Sequence, residues 1–185
     1  MIHGLLYRKP SNQRFEEKLD VQSLKLSPTH ETITTWAASS CWLVQSSCYE
    51  ENTLLLGQDS PLQITAWARL DNREELAQKL NLLPEQLVHL SDTALILKAY
   101  EHFGESCTKH LFGDFCFAIY DTRTNTLFCA RDQMGVKPFY YYLDERIFAF
   151  STSLAMFHKL DCVPVKPSMA WARLVHHSFC KLGLS

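Results

Sequence analysis

Two neighbouring runs late in the chain, FCFAIYD at 115–121 and TLFCARD at 126–132, restrict the fold more than any other feature. With the two-residue period of a strand, Phe115, Phe117 and Ile119 face one way and Cys116, Ala118 and Tyr120 the other. Both faces are largely apolar, so the sheet containing them has to be covered on both sides. The intervening TRTN reads as a hairpin loop, and FYYYLDERIFAF at 139–150 reads as a second hairpin turning at Asp144-Glu145. STSLAMFHKL at 151–160 is expected to form a helix capped by Ser151. Together these runs predict an antiparallel α+β domain with sheets inside and helices outside.

Upstream, GLLYR reads as an opening strand, and the polar stretch from Lys9 to about Thr35 carries little signal. Residues 41–70 read as short strands broken by turns at Glu50-Glu51-Asn52 and Gly57-Gln58-Asp59. The period then shifts towards 3.6. DNREELAQKL predicts a helix with Asp71 or Asn72 as N-cap, and Glu75 has capping-box spacing from Asn72. Pro84 is suited to open a short helical turn, PEQLVHL. SDTALILKAYEHFG predicts a helix with Ser91 as N-cap, Asp92 at its positive end and Gly104 as its stop. The domain is therefore placed at 1–163, with 164–185 a proline-marked linker and short helical tail.

Composition narrows the functional classes. The chain has 185 residues, 46% hydrophobic and 21% charged, a length that suits one domain with a sizeable core. Its net charge of −2 is spread without blocks of like sign, so neither nucleic acid nor an anionic membrane is an expected partner. No apolar run approaches the roughly 20 residues of a membrane-spanning helix, and no secretory signal opens the chain. Seven cysteines (41, 48, 107, 116, 129, 162 and 180) include no CxxC pair, so no structural metal is expected. A cytoplasmic, reducing location and no cofactor are the expectation.

One resemblance gathers these features. Gly113-Asp114-Phe115, Ala130-Arg131-Asp132 and Gly135-Val136-Lys137-Pro138-Phe139-Tyr140-Tyr141 resemble the end of the N-terminal class II glutamine amidotransferase domain of asparagine-synthetase-type enzymes. RLDNREEL at 69–76 and SDT at 91–93 fall in the family's order and approximate spacing. The likeness covers roughly residues 62–160 well and the first sixty poorly. It implies an N-terminal-nucleophile hydrolase αββα sandwich, two antiparallel sheets between helical layers. Gly135 and Pro138 then suit a tight turn, and Arg131, Asp132 and Lys137 are expected to hold that loop.

The resemblance also sets chemical requirements. Family members hydrolyse glutamine with a cysteine at the mature N-terminus, whose free α-amine, with a pKa of about 8, takes up the thiol proton. Here His3-Gly4-Leu5 stands against the family's Cys-Gly-Ile, behind an extra Ile2 that disfavours removal of Met1. His3 has no thiol and its backbone nitrogen lies in a peptide bond. It is expected to be a surface or packed residue. The family's oxyanion-hole Asn-Gly pair is matched by Trp67-Ala68, and Trp67 is expected to fill space that a glutamine would occupy. The early strand lacks the arginine that anchors the substrate carboxylate. Asp92 matches the family's acidic anchor for the substrate amine and is equally a good first-turn helix residue. Cys41 and Cys48 have no base beside them in sequence and are discounted as substitute nucleophiles.

The expected function is that of a domain that has kept the amidotransferase scaffold and lost glutaminase activity, with no catalytic residue remaining. It resembles the branch that includes β-lactam synthetases and lasso-peptide cyclases. The partner implied is an ATP-pyrophosphatase-type synthetase domain or subunit, whose pyrophosphate loop the chain lacks; a homodimer is the other partner considered. Two rivals stand beside this reading: an active glutaminase supplying ammonia for asparagine synthesis, and an amino-acid-binding module reusing the glutamine pocket.

Overall fold

The computed structural model describes residues 1–8, 32–38, 40–47, 60–160, 162–163 and 179–183. They build two antiparallel sheets. The first, in the order β2-β3-β1-β8-β7, takes β1 (Ile2–Tyr7), β2 (Thr32–Ala37), β3 (Cys41–Ser47), β7 (Tyr140–Leu143) and β8 (Ile147–Ser151). The second, in the order β4-β5-β6-β9, takes β4 (Leu62–Leu70), β5 (Gly113–Asp121), β6 (Thr126–Arg131) and β9 (Phe179–Gly183). Three helices, α1 (Arg73–Lys79), α2 (Pro84–Val88) and α3 (Asp92–Phe103), lie between β4 and β5 in the chain, followed by a 3-10 segment at Gly104–His110.

The doubly apolar strands are covered twice, as their sequence requires. Phe115, Phe117 and Ile119 join Leu76, Leu95, Ile96 and Ala99 in a core between the second sheet and the helices. Cys116, Ala118 and Tyr120 face the other way, into a core shared with Ile2, Leu43, Phe148 and Phe150 of the first sheet. Small residues on β5 and β6 share that core with phenylalanines on β8, so the side chains of the two sheets interdigitate. A third cluster around Leu5, Trp42, Val44 and Ala149 is capped by Met156, Phe157 and Leu160. The order of layers is helices, sheet, sheet and a helical cap: the sandwich of N-terminal-nucleophile hydrolases.

Both predicted hairpins form. Asn125 closes the first with a φ of 51°, and Asp144 closes the second by accepting bonds from the backbone of Arg146 and Ile147, both at 2.7 Å. The α3 signals act as read: the Ser91 hydroxyl accepts from the Ala94 amide at 3.2 Å, and Gly104 ends the helix.

Four expectations are corrected. Asn72 stands at the N-cap of α1 without capping it through its side chain. Its amide instead donates to the His110 carbonyl and accepts from the Phe112 N–H, pinning the entry to β5. Glu75 pairs with Lys79 rather than completing a capping box. Ser151 is the last residue of β8, held there by pairing with His3 and Tyr140, and 154–159 is a 3-10 turn preceded by Ser153. Within the tail placed outside the domain, Phe179–Gly183 is a strand paired along β6, whose edge would otherwise be open. The turns at 50–52 and 57–59, Cys48 and the rest of the tail lie outside the described residues.

Candidate functional site

His3 sits in the middle of the first sheet, between Val44 of β3 and Ser151 of β8. Alternation along β1 puts it on the outer face with Leu5, away from the second sheet. It is buried, with Nδ1 at 2.8 Å from the Ser151 hydroxyl. That hydroxyl donates to the Ser153 carbonyl at 2.7 Å, and a serine has one proton to give. Nδ1 therefore carries the hydrogen between His3 and Ser151. The pair latches β1 to β8 and does not prepare Ser151 as a nucleophile, since the imidazole donates where a base would have to accept.

Gly4 faces the inter-sheet core. A β-carbon there would stand 2.2 Å from a ring carbon of Phe150 and 3.0 Å from the Trp42 carbonyl oxygen. The Phe150 ring, itself stacked on Phe139 at 5.3 Å, occupies the space a side chain would need.

Trp67 and Ala68 are neighbours on β4 and so face opposite ways. Ala68 packs against the helix-side core. Trp67, half-buried, faces the first sheet, as does Thr65, whose hydroxyl bonds the Val44 carbonyl at 3.2 Å. The Lys137 ammonium lies 4.2 Å from the centre of the Trp67 ring, a cation–π contact. Trp67 stands opposite Cys116 on β5, and Cys116 stands opposite Arg131 on β6. Burial pushes the Cys116 thiol up to about 12, even with Lys137 nearby, so at neutral pH it remains a thiol. Cys41, wholly buried, is raised well above its ordinary value for the same reason.

The loop carrying Lys137 is organised by Asp132. Its buried carboxylate accepts from the Val136 amide at 2.8 Å and the Lys137 amide at 3.1 Å, while its own backbone bonds Phe115 and Gly135. Gly135 has a φ of 66°, and a β-carbon there would meet the Arg131 guanidinium at 3.0–3.2 Å. Glycine suits that site on both counts. Pro138 follows, and Phe139 turns into the inter-sheet core.

Asp92 lies on the helical side of the second sheet. One carboxylate oxygen accepts from the Leu70 amide at 2.9 Å and the other from the Arg73 guanidinium. Arg73 also donates to the carbonyls of Leu90 at 2.6 Å and Leu87 at 3.2 Å. Both oxygens thus tie the start of α3 to β4 and α1.

The structure brings Trp67, Arg131, Asp132, Gly135, Lys137 and Pro138 to one end of the sandwich and leaves His3 on the outer face of the first sheet, with Ala68 and Asp92 on the helical side of the second. Sequence reading missed Cys116 as the strand neighbour of Trp67 and Arg131, Arg73 as the partner of Asp92, and Ser151 as the partner of His3. The Cys116 and Ser151 relations are strand-register relations between segments far apart in the chain, and Arg73 carried only a helix-forming signal. Among the described residues no group of three His, Cys, Asp or Glu side chains could hold a metal ion. No helix there is long and apolar enough to cross a membrane.

Comparison with known proteins places this geometry. Residues 48–159 match the glutamine amidotransferase domain family. A putative asparagine synthetase [glutamine-hydrolyzing] 2 of Methanocaldococcus jannaschii is 45% identical over 83 residues, 45% of this chain and 16% of that protein. Asparagine synthetase [glutamine-hydrolyzing] 3 of Bacillus subtilis is 40% identical over 85 residues, 46% of this chain and 14% of that protein. The amidase chyE of Penicillium rubens is 32% identical over 114 residues, 59% of this chain and 16% of that protein. The matches thus span less than a fifth of these relatives' length. In structure, the glutamine phosphoribosylpyrophosphate amidotransferase of B. subtilis superposes with a TM-score of 0.51 at 16% identity, over 85% of this chain and 36% of that one. That likeness concerns the fold. With a family match over more than half its length and asparagine synthetases among its relatives, the chain belongs to the glutamine amidotransferase domain family, as an N-terminal domain of the asparagine synthetase type.

Proposed function

We propose that this domain has no glutaminase activity and serves as the scaffold and packing partner of an ATP-dependent, amide-forming synthetase of the ATP-pyrophosphatase type. The observation that carries the reading is Trp67 with Lys137 over its ring. In the place matched to the oxyanion-hole pair there stands a bulky indole covered by an ammonium group, and Ala68 faces the opposite side of the sheet. An oxyanion hole needs donors converging on one point, and here the side chains supply only one N–H, on a bulky ring. Three further features support it. The position matched to the nucleophile is His3, which donates to Ser151. The described cysteine beside Trp67 is held as a thiol. Both Asp92 oxygens are engaged within the fold. Relatives that match over a small part of their length support a synthetase partner.

The test is ammonia release from glutamine by the purified chain, with and without a glutamine-analogue electrophile. No release and no covalent label are expected. Turnover, or a label on any residue, would overturn the proposal. The glutamine-hydrolysing asparagine synthetases among the relatives favour the rival reading of an active glutaminase, and the same assay decides between them. A bulky Trp67, packed against the inter-sheet core with Lys137 over its ring, counts against an amino-acid-binding module.

A further inference from the structure

Among the described residues β7 is an edge of the first sheet: it pairs with β8 and with no other strand. The phase of that ladder is fixed at the hairpin end, where the Asp144 amide bonds the Ile147 carbonyl at 3.0 Å. Antiparallel ladders alternate bonded and non-bonded pairs. Tyr142 with Ala149 and Tyr140 with Ser151 are therefore bonded pairs, and Leu143 with Phe148 and Tyr141 with Phe150 are not. The far side of β8 agrees. The Thr152 amide bonds the Ile2 carbonyl at 3.1 Å and the Arg8 amide bonds the Arg146 carbonyl at 2.8 Å, so Phe148 and Phe150 are the β8 residues bonded to β1. The backbone N–H and C=O groups of Tyr141 and Leu143 thus point out of the edge of the sheet. Exposed edges are commonly blunted by charge or proline, and the sequence of β7, YYYL, has neither.

We propose that β7 is a strand-pairing surface whose partner is a second copy of this chain, joined antiparallel about a two-fold axis at Tyr142. In that register Tyr141 stands opposite Leu143 of the second copy, and Leu143 opposite its Tyr141. Each pair exchanges both N–H···O bonds, so every outward group of the two edges is used reciprocally. The side chains fit the same register. Tyr141 lies at the margin of the inter-sheet core, its ring 5.8 Å from that of Phe148. Alternation puts Leu143, 46% exposed, on the same face. Each Leu143 then covers the Tyr141 of the other copy, and Tyr142 meets its own counterpart on the outer face. Past the strand ends, the exposed Glu145 comes opposite Phe139 of the second copy, beside the segment that carries Lys137. The acidic end of each edge meets the basic end of the other. Backbone, apolar and charge complementarity coincide in one symmetric register, which favours a second copy over an unrelated strand.

The experiment measures the mass of the purified chain by sedimentation equilibrium over a dilution series and reads amide exchange on the same samples. A reversible monomer–dimer equilibrium is expected, weak because the paired strands are short. Exchange should slow with concentration most strongly at the Tyr141 and Leu143 amides. Leu143→Pro removes an outward N–H and takes no bond from β8. It should raise the dissociation constant about tenfold or more with the circular dichroism of the monomer unchanged. Should that variant fail to fold, Leu143→Lys carries the same expectation. Glu145→Lys should weaken the dimer by a smaller factor. Val88→Lys, at an exposed apolar position on α2, should leave it unaltered. A chain that stays monomeric at millimolar concentration, a dimer that survives both Leu143 variants, or one that Val88→Lys also dissociates overturns the proposal. Protection of the Tyr141 and Leu143 amides in the dilute monomer overturns it too, since the edge would then be covered by the chain itself.

Discussion

At the level of single residues, the side chains nearest the sequence's most suggestive motif are governed by space and proton direction. Gly4 leaves room for the Phe150 ring, which is stacked on Phe139 in a buried core. Gly4→Ala is expected to cost about 1–3 kcal/mol, the usual penalty of overpacking, read as a lower denaturation midpoint at unchanged slope. Asp144 offers a pH signature. Burial alone would raise its carboxyl, but the Ile147 and Arg146 amides, the Tyr142 hydroxyl and the Arg146 charge hold it below 3.8, its ordinary value. A depressed folded-state pKa means that the stabilisation is present above the unfolded value and is lost as pH falls through the folded one. Asp144→Asn should therefore be less stable than the wild type at neutral pH. The gap should close as pH drops below 3.8, measured by urea unfolding across the acid range.

At the level of elements, helix ends and turns were legible where a side chain served its own segment and illegible where it served another. Ser91 caps the helix it precedes, and Pro84 opens the turn it begins. Asn72 has the same local signature as a cap, yet its amide reaches His110 and Phe112 nearly forty residues on. Ser151 follows the same rule: its hydroxyl is engaged by His3 and Ser153 and not by the turn that follows. Ser91→Ala is expected to cost about 1 kcal/mol, the usual worth of such a cap, and to speed amide exchange in the first turn of α3 above that in its last. That local readout separates a cap from a general packing loss.

At the level of the whole molecule, the sandwich is held chiefly by interdigitation between sheets and secondarily by polar ties at its ends. Phe150 touches both parts of that core, stacking on Phe139 and filling the space above Gly4. Phe150→Ala is expected to cost about 3–5 kcal/mol. Thr65→Val, which removes the hydroxyl reaching the Val44 carbonyl across the sheets, should cost about 1 kcal/mol. Thermal and denaturant unfolding of the two variants would check the ranking; equal losses would mean that the inter-sheet core contributes less than its packing indicates.

By itself, the sequence determined the strands with two apolar faces, both hairpins, α3 and its caps, and hence a sheet covered on both sides. These rest on periods of two and 3.6 residues and on turn chemistry, which act within a dozen residues. Only the tertiary structure decided that His3 donates to Ser151, that Lys137 lies on Trp67, that Arg73 holds Asp92, and that a strand at 179–183 closes the edge of β6. Each of these depends on strand register or on the meeting of distant segments. Shifting a strand by one residue reverses every face, and no local pattern encodes which partner a strand will take.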